Sequence, residues 1–225
     1  MKQKKEIYRK LQQKGIAIEN ACEVGVYMPE TSNIIDFIED GQPCMLVEPD
    51  PASIKKIKEL FGDKKNVQLY PYAMYDYNGK LSLSQADAST FVSELEASPA
   101  LINDKYQVDS SKNFEVECKK FSEIDPKNID LISIDIEGSE WYVLKHMTSR
   151  PKVISVETHG KFYVNPYMGK INQWIQDNGY LIWYKDGSDT VFVKNELFEI
   201  TLSDKLALQL KNLKISLRRA KKVFR

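Results

Sequence analysis

The chain has 225 residues, 42% hydrophobic and 28% charged. That is long enough for one large α/β domain and falls outside the composition of disordered chains. Its 32 basic and 32 acidic residues cancel, but eight of the basic ones lie between Lys205 and Arg225, where there is no Asp or Glu. The remainder holds 24 basic against 32 acidic residues, which argues against a nucleic-acid surface spread over the main domain. No apolar run approaches the roughly 20 residues that cross a bilayer, and Met1 opens a basic polar stretch rather than a secretory signal. A cytoplasmic location is expected. Cys22, Cys44 and Cys118 are far apart and odd in number, so they read as small buried thiols rather than disulfides or zinc ligands.

Residues 1–19 read as an N-terminal helical extension and 20–200 as the main domain. Its first strand is Asn20–Val26, followed by a helical pattern from about Ser32 to Glu39. Cys44–Glu48 is the second strand. The next helix opens at Asp50-Pro51, a good N-cap followed by proline at the first helical position, and runs to about Phe61. Val67–Met74 is the third strand. Leu81–Leu83 and Phe114–Cys118 are short alternating strands, and the polar stretch 84–113 between them reads as a lid or substrate loop. Leu131–Ile136 is the strongest strand, followed by a helix through Met147. Val153–Glu157 comes next, then a helix from about Met168 to Asn178 that stops at Gly179. Tyr180–Tyr184 and Thr190–Val193 form an antiparallel pair across residues 185–188. Residues 201–225 form a basic amphipathic helix.

Continuous apolar strands alternating with helices give a Rossmann-like α/β fold: a mostly parallel seven-stranded sheet, helices on both faces and a C-terminal antiparallel strand. Ligands in such sheets bind beyond the carboxyl ends of the strands. There the first strand offers Glu23, an acid that is costly to bury unless paired, and Gly25, which lets the backbone turn tightly. Glu48 ends the second strand 23 residues after Gly25, where an acid can accept from both hydroxyls of a ribose. Pro49 follows it. Tyr72 and Ala73 end the third strand, apolar with a polar finish that suits an adenine slot. After the fourth strand Asp135, Glu137 and Glu140 crowd together with Gly138, and like charges this close raise one another's pKa. Glu140 also reads as a first-turn helix acid. The fifth strand ends in Glu157-Thr158-His159, whereas His146 falls within a helix and reads as structural.

These segments, in this order, resemble the FkbM family of S-adenosylmethionine-dependent methyltransferases over roughly residues 20–195. Asp135–Glu140 followed by Leu144-Lys145 is the most specific part. The resemblance implies a class I methyltransferase fold, a methyltransferase domain over 20–200, and O-methylation of a sugar, glycan or polyketide hydroxyl. It implies that Glu23 and Gly25 hold the methionine end of the cofactor, that Glu48 binds the ribose, and that Ala73 with its neighbours flanks adenine. Asp135 and Glu137 would face the reacting centre. Family members usually carry a second glycine shortly after the first. This chain has Tyr27-Met28-Pro29 instead, which leaves Thr31 and Ser32 to meet the cofactor carboxylate through hydroxyls and a helix N-terminus.

An alcohol needs a base or a metal to lose its proton. His159, Glu137, Asp135 and Glu157 are the candidates for the base, and Asp135, Glu157 and His159 could alternatively hold Mg²⁺ or Mn²⁺. Two rivals stand beside this reading. A nucleotide-sugar or dinucleotide-dependent enzyme would use Glu48 but lacks a glycine-rich phosphate loop. A non-catalytic adaptor on a degenerate methyltransferase fold would explain the altered loop. In the tail, Leu206, Leu210, Leu213 and Leu217 form one helical stripe among basic residues. It suits packing on the domain, a homodimer, or peripheral contact with an anionic membrane.

Overall fold

The computed structural model describes residues 3–86, 89–95, 97–103, 105–107 and 109–223, with 221–223 described by backbone alone. In chain order the elements are α1 (Glu6–Lys14), β1 (Ala21–Val24), α2 (Ile35–Glu39), β2 (Cys44–Val47), α3 (Pro51–Phe61), β3 (Val67–Tyr70), β4 (Ala73–Met74), β5 (Gly79–Gln85) and β6 (Thr90–Val92). There follow α4 (Pro99–Asn103), β7 (Asn113–Lys119), β8 (Leu131–Ile134), α5 (Glu140–His146), β9 (Val153–Glu157), α6 (Met168–Asp177), β10 (Tyr180–Asp186), β11 (Asp189–Lys194) and α7 (Leu202–Val223).

Seven strands form the main sheet in the order β10-β11-β9-β8-β1-β2-β3. β1, β2, β3, β8 and β9 run parallel, and β11 runs antiparallel to both its neighbours, β9 and β10. The sheet is therefore mixed. Within its buried strands alternate residues serve opposite faces. Ala21, Leu46, Leu131 and Val153 pack with Ile7 and Leu11 of α1, Ile38 of α2 and Ile57 of α3. Cys22, Val47, Ile132 and Ile154 pack with Val143 and Leu144 of α5 and Ile171 of α6. All three cysteines are buried and free. The cap at Asp50 forms as its residue types dictate: its side chain accepts from the Ala52 N–H at 2.9 Å.

Two expectations need correction. The third strand does not run through to Met74. It stops at Tyr70, and after Pro71, which has no N–H to give a ladder, residues 73–74 join a second sheet of order β4-β7-β5-β6. The stretch 84–113 is also not a bare loop, because it contains β6, paired antiparallel with β5, and α4. Its Asn103 side chain accepts from the Phe162 and Tyr163 amides at 2.8 and 3.0 Å, which ties it to the loop after β9.

α7 packs on the domain through Leu208, Lys211, Ile215 and Arg219, its half-buried positions, and Arg219 donates to the Tyr163 carbonyl at 3.0 Å. The leucine stripe is on the opposite side of the helix. Leu202, Leu206, Leu210, Leu213 and Leu217 are 55–78% exposed, so it is not what holds α7 to the domain. The last two residues of the expected tail helix, 224–225, lie outside the described residues. No helix among the described residues is long and apolar enough to cross a membrane.

Candidate active site

A cavity of about 270 Å³ opens at the carboxyl ends of β1, β2 and β8, where the crossovers on either side of β1 run in opposite directions and leave a crevice. Glu23, Gly25 and Thr31 line it from β1 and the turn after it, Glu48 and Pro49 from just beyond β2, and Tyr72 and Ala73 from the passage out of β3 into β4. Asp135 and Glu137 line it from the turn after β8, and Thr90, Phe91 and Val92 of β6 close it from the second sheet.

Gly25 sits at φ +86°, and a Cβ there would come within 1.8 Å of the Asp135 carbonyl oxygen. Its demand for glycine therefore comes from the neighbouring strand, which passes the turn without space for a methyl group. Tyr27 is also in the left-handed region, at φ +42°. Here a bulky side chain adopts a backbone conformation that glycine takes freely, which is how the loop turns without a second glycine.

Glu48 has two tasks. Its Oε2 accepts from the Val26 and Tyr27 amides, both at 2.9 Å, and its Oε1 accepts from the Asp50 amide at 2.9 Å. It braces the loop after β1 against β2 and keeps lone-pair capacity toward the cavity, since a carboxylate offers about four acceptor sites. Glu23 is buried, and burial pushes it up to about 7. It accepts from the Asn33 amide at 2.8 Å and from the Ser32 hydroxyl. Ser32 is thus engaged by Glu23 and lies outside the cavity lining, while Thr31 lines it with its hydroxyl donated to the Met28 carbonyl at 2.9 Å.

The acids after β8 and β9 divide differently from the sequence expectation. Asp135 is pushed up to about 7 by burial and then by Glu140. Glu157 lies outside the cavity lining and is raised well above the ordinary carboxylate range by burial, then Asp135 and Glu140. Carboxylate oxygens of Asp135, Glu140 and Glu157 lie within 4.8 Å of one another. His159 does not join them. Beyond β9 its backbone N–H donates to the Ser188 carbonyl and it bridges to Val164, which carries the ring toward the β10–β11 turn and away from the cavity. The expected Asp135–Glu157–His159 constellation is therefore corrected to Asp135–Glu140–Glu157. Glu140 is already committed: it accepts from the Ile136 and Gly138 amides at 3.0 Å and from the Asn165 side chain. It is the first-turn acid of α5, as its position in the sequence suggests, and it also braces the preceding loop. His146 is structural, 2.7 Å from Asp76.

Sequence reading missed a polar layer beneath the cavity. Ser133 and Ser155 sit side by side in the register of β8 and β9, on the same face as Glu23. Asn33 donates to Ser133 at 3.0 Å, and Ser155 donates to Asp189 at 3.0 Å. Asp189 is pushed up to about 7 by burial and by Asp135. The signal that could have found this layer is one serine at the same place in each of two otherwise apolar strands, 131–134 and 153–156.

The profile of the methyltransferase FkbM domain matches residues 23–182, well over half the chain. The chain belongs to the FkbM methyltransferase family. Among solved structures it is similar to methyltransferase FkbM from Methylobacillus flagellatus KT, with a TM-score of 0.53 and 12% identity over 78% of this chain and 43% of that one. It is also similar to a SAM-dependent methyltransferase from Aquifex aeolicus (TM-score 0.43, 8% identity, 84% and 88% covered). A third is the ribosomal protein L11 methylase from Lactobacillus delbrueckii subsp. bulgaricus (0.42, 9%, 84% and 76%). At 12% identity the likeness to the Methylobacillus FkbM structure shows the fold alone, and the chain spans less than half the length of that structure. No protein of curated function matches the sequence.

Membership of the FkbM family implies S-adenosylmethionine, and the cavity fits it. An apolar wall that includes Tyr72, Ala73 and Phe91 faces carboxylates of Glu23, Glu48 and Asp135. Two of those acids are pushed up to about 7 by desolvation, which a cationic ligand would relieve. S-adenosylmethionine brings a sulfonium and an ammonium together with a ribose diol and a flat base.

Proposed function

We propose that this FkbM-family protein O-methylates a hydroxyl of a sugar, glycan or related small molecule, with Asp135 as the base. The carrying observation is that Asp135 combines a place in the cavity lining, a carboxyl poised at about 7, and two further carboxylates, Glu140 and Glu157, within 4.8 Å of it. Bound S-adenosylmethionine supplies a methyl group on a positively charged sulfur. Glu48 would hold the ribose, Gly25 lets the backbone pass close, and Glu23 with Asp135 places negative charge near the cation. Asp135 would take the proton of an incoming hydroxyl whose oxygen gains the methyl group as the sulfur–methyl bond breaks and S-adenosylhomocysteine leaves, and a carboxyl near neutrality suits that proton transfer. The remainder is positioning of nucleophile and methyl in line. β6 walls the cavity from the second sheet, so the segment around it is where acceptor selection would reside. A base is preferred to Mg²⁺ or Mn²⁺, because the Glu140 oxygens are already hydrogen-bonded and His159 is elsewhere.

Calorimetric titration with S-adenosylhomocysteine, with NAD as control, tests the cofactor assignment. Micromolar binding is expected, weakened about tenfold or more in Glu48→Gln, where two charge-assisted bonds to the diol become neutral ones. Absence of binding to the wild-type protein would instead favour the adaptor on a degenerate fold.

α7 completes the reading as a peripheral contact with an anionic membrane surface. Its five exposed leucines point away from the domain, and the segment from Lys205 on contains no acid. Two such cationic helices would repel in a homodimer, whereas an anionic surface complements them. In flotation with phosphatidylglycerol vesicles the protein should rise with the lipid. A Leu206→Ser/Leu210→Ser/Leu213→Ser variant should remain at the bottom, and equal flotation of both removes the contact.

A further inference from the structure

A second cavity, of about 170 Å³, lies between the loop after β9, the β10–β11 turn and α7. His159 and Gly160 line it on one side, Gly187 on another, and Lys211, Lys214 and Arg218 of α7 complete it. Among the described residues none of these three cations makes an ion pair. Uncompensated positive charge gathered around a recess attracts an anion.

His159 supplies an independent observation. It is buried, and its Nε2 has no hydrogen-bond partner, a costly state for a ring nitrogen. Its Nδ1 lies 3.0 Å from the Thr158 hydroxyl, which is itself 2.6 Å from the Thr190 hydroxyl. With the hydroxyls of Thr190 and Thr158 donating in turn toward Nδ1, the direction our proposal takes, the imidazole proton sits on Nε2. Burial and the charges of Lys185, Arg219, Lys211 and Arg218 hold the ring neutral, its pKa lowered to about 4. A neutral ring in this tautomer offers one N–H donor and no acceptor on the cavity side.

We propose that this cavity binds a phosphate group, held by Lys211, Lys214 and Arg218 and by the Nε2–H of His159. A phosphate offers three or more acceptor oxygens and carries up to two negative charges, which suits three cations and a neutral donor better than a carboxylate does. The cavity is small for a nucleoside, and it lies on the same edge of the sheet as the cofactor cavity but on the β9–β10 side. The phosphate has two candidate sources, a soluble phosphorylated molecule, which includes a phosphorylated acceptor, or the headgroup of an anionic lipid beneath α7. The site stands on its own geometry and does not depend on methyl transfer.

The test is titration of the full chain, with histidine rings isotope-labelled, by inorganic phosphate and by pyrophosphate, against chloride at equal ionic strength. Saturable movement of the His159 ring signals is expected with both phosphates and not with chloride, and His146 should stay still. In Lys211→Ala/Arg218→Ala the affinity should fall at least tenfold. Arg218 is exposed and Lys211 half-buried where α7 meets the domain, and the unchanged His146 signal reports that the fold persists. No movement of His159, or equal affinity in the variant, overturns the proposal. Adding phosphatidylglycerol vesicles separates the sources. Displacement of phosphate from His159 by the vesicles assigns a lipid headgroup, and retention of phosphate assigns a soluble phosphorylated molecule; either leaves the site standing.

Discussion

Replacing Asp135 by Asn lowers methyl transfer by about 10²–10⁴-fold, the usual worth of a positioned general base, while S-adenosylhomocysteine still binds. Asp135 is the group in the cavity whose pKa, about 7, allows it both to accept a proton at neutral pH and to pass it on. In the wild-type protein the rate should fall as pH drops below about 7, because protonation occupies the base, and the variant's residual rate should lose that limb. The measurement uses radiolabelled S-adenosylmethionine and an acceptor found by screening. The substitution keeps the shape, and the backbone N–H of residue 135 still donates to the Val24 carbonyl. It also removes one charge from a crowded cluster, so a loss of fold is not expected. Wild-type turnover in the Asn variant would take Asp135 out of the proton path.

The ligand-free protein is more stable at pH 5 than at pH 8. Glu23, Asp135, Glu140 and Asp189 each stand at about 7, against ordinary values of 4.5 for Glu and 3.8 for Asp, chiefly through burial. A carboxyl whose folded pKa is raised binds its proton more tightly in the folded chain. Its contribution is therefore fully present below about 4 and is lost as pH climbs to about 7. Asp125 is lowered, against the pull of burial, by hydrogen bonds from Ser149, and Asp76 is lowered by its hydrogen bond from Lys145. Those two act in the opposite sense only below about 4, while His159, lowered from 6.5 to about 4, opposes the carboxyls between those values as one group against four. Over pH 5–8 the raised group decides the sign. A tenfold change in proton affinity is worth about 1.4 kcal/mol. Two groups that each lose one such factor therefore give on the order of 3 kcal/mol, or about 6–12 °C in melting temperature. Thermal unfolding at the two pH values reads this directly. A higher melting temperature at pH 8 would mean that the cluster is solvated or paired with a cation.

Much of the cofactor side is legible in the chain itself, because local rules govern it. Asp50-Pro51 before an amphipathic stretch is a local helix start, with the Asp50 side chain capping the Ala52 amide, and an acid at the second strand end, 23 residues past a glycine turn, is placed by the strand–helix–strand unit itself. Glu48 and Gly25 fall where that spacing puts them. The acceptor side is less legible. The strand ends carrying Asp135 and Glu157 are plain, but which residue completes the cluster depends on the path of the chain after β9. A hydrogen bond to Ser188 and a bridge pairing opposite Val164 turn His159 away, and Asn165 with two loop amides draws Glu140 in.

The amino-acid order alone dictates the alternation of apolar strands and helices, hence a sheet buried on both faces, and the succession of acids along its edge that marks the family. Those features follow from periodicity and short-range backbone chemistry. Three things come from the packed fold instead: which acids cluster, that the leucines of α7 face outward, and that His159 meets the cations of α7 rather than the cofactor cavity. Strand order, crossover paths and the face on which a terminal helix docks are set by contacts between residues tens to more than a hundred positions apart. A residue's pKa and its partners are set by that packing, not by its neighbours in the chain.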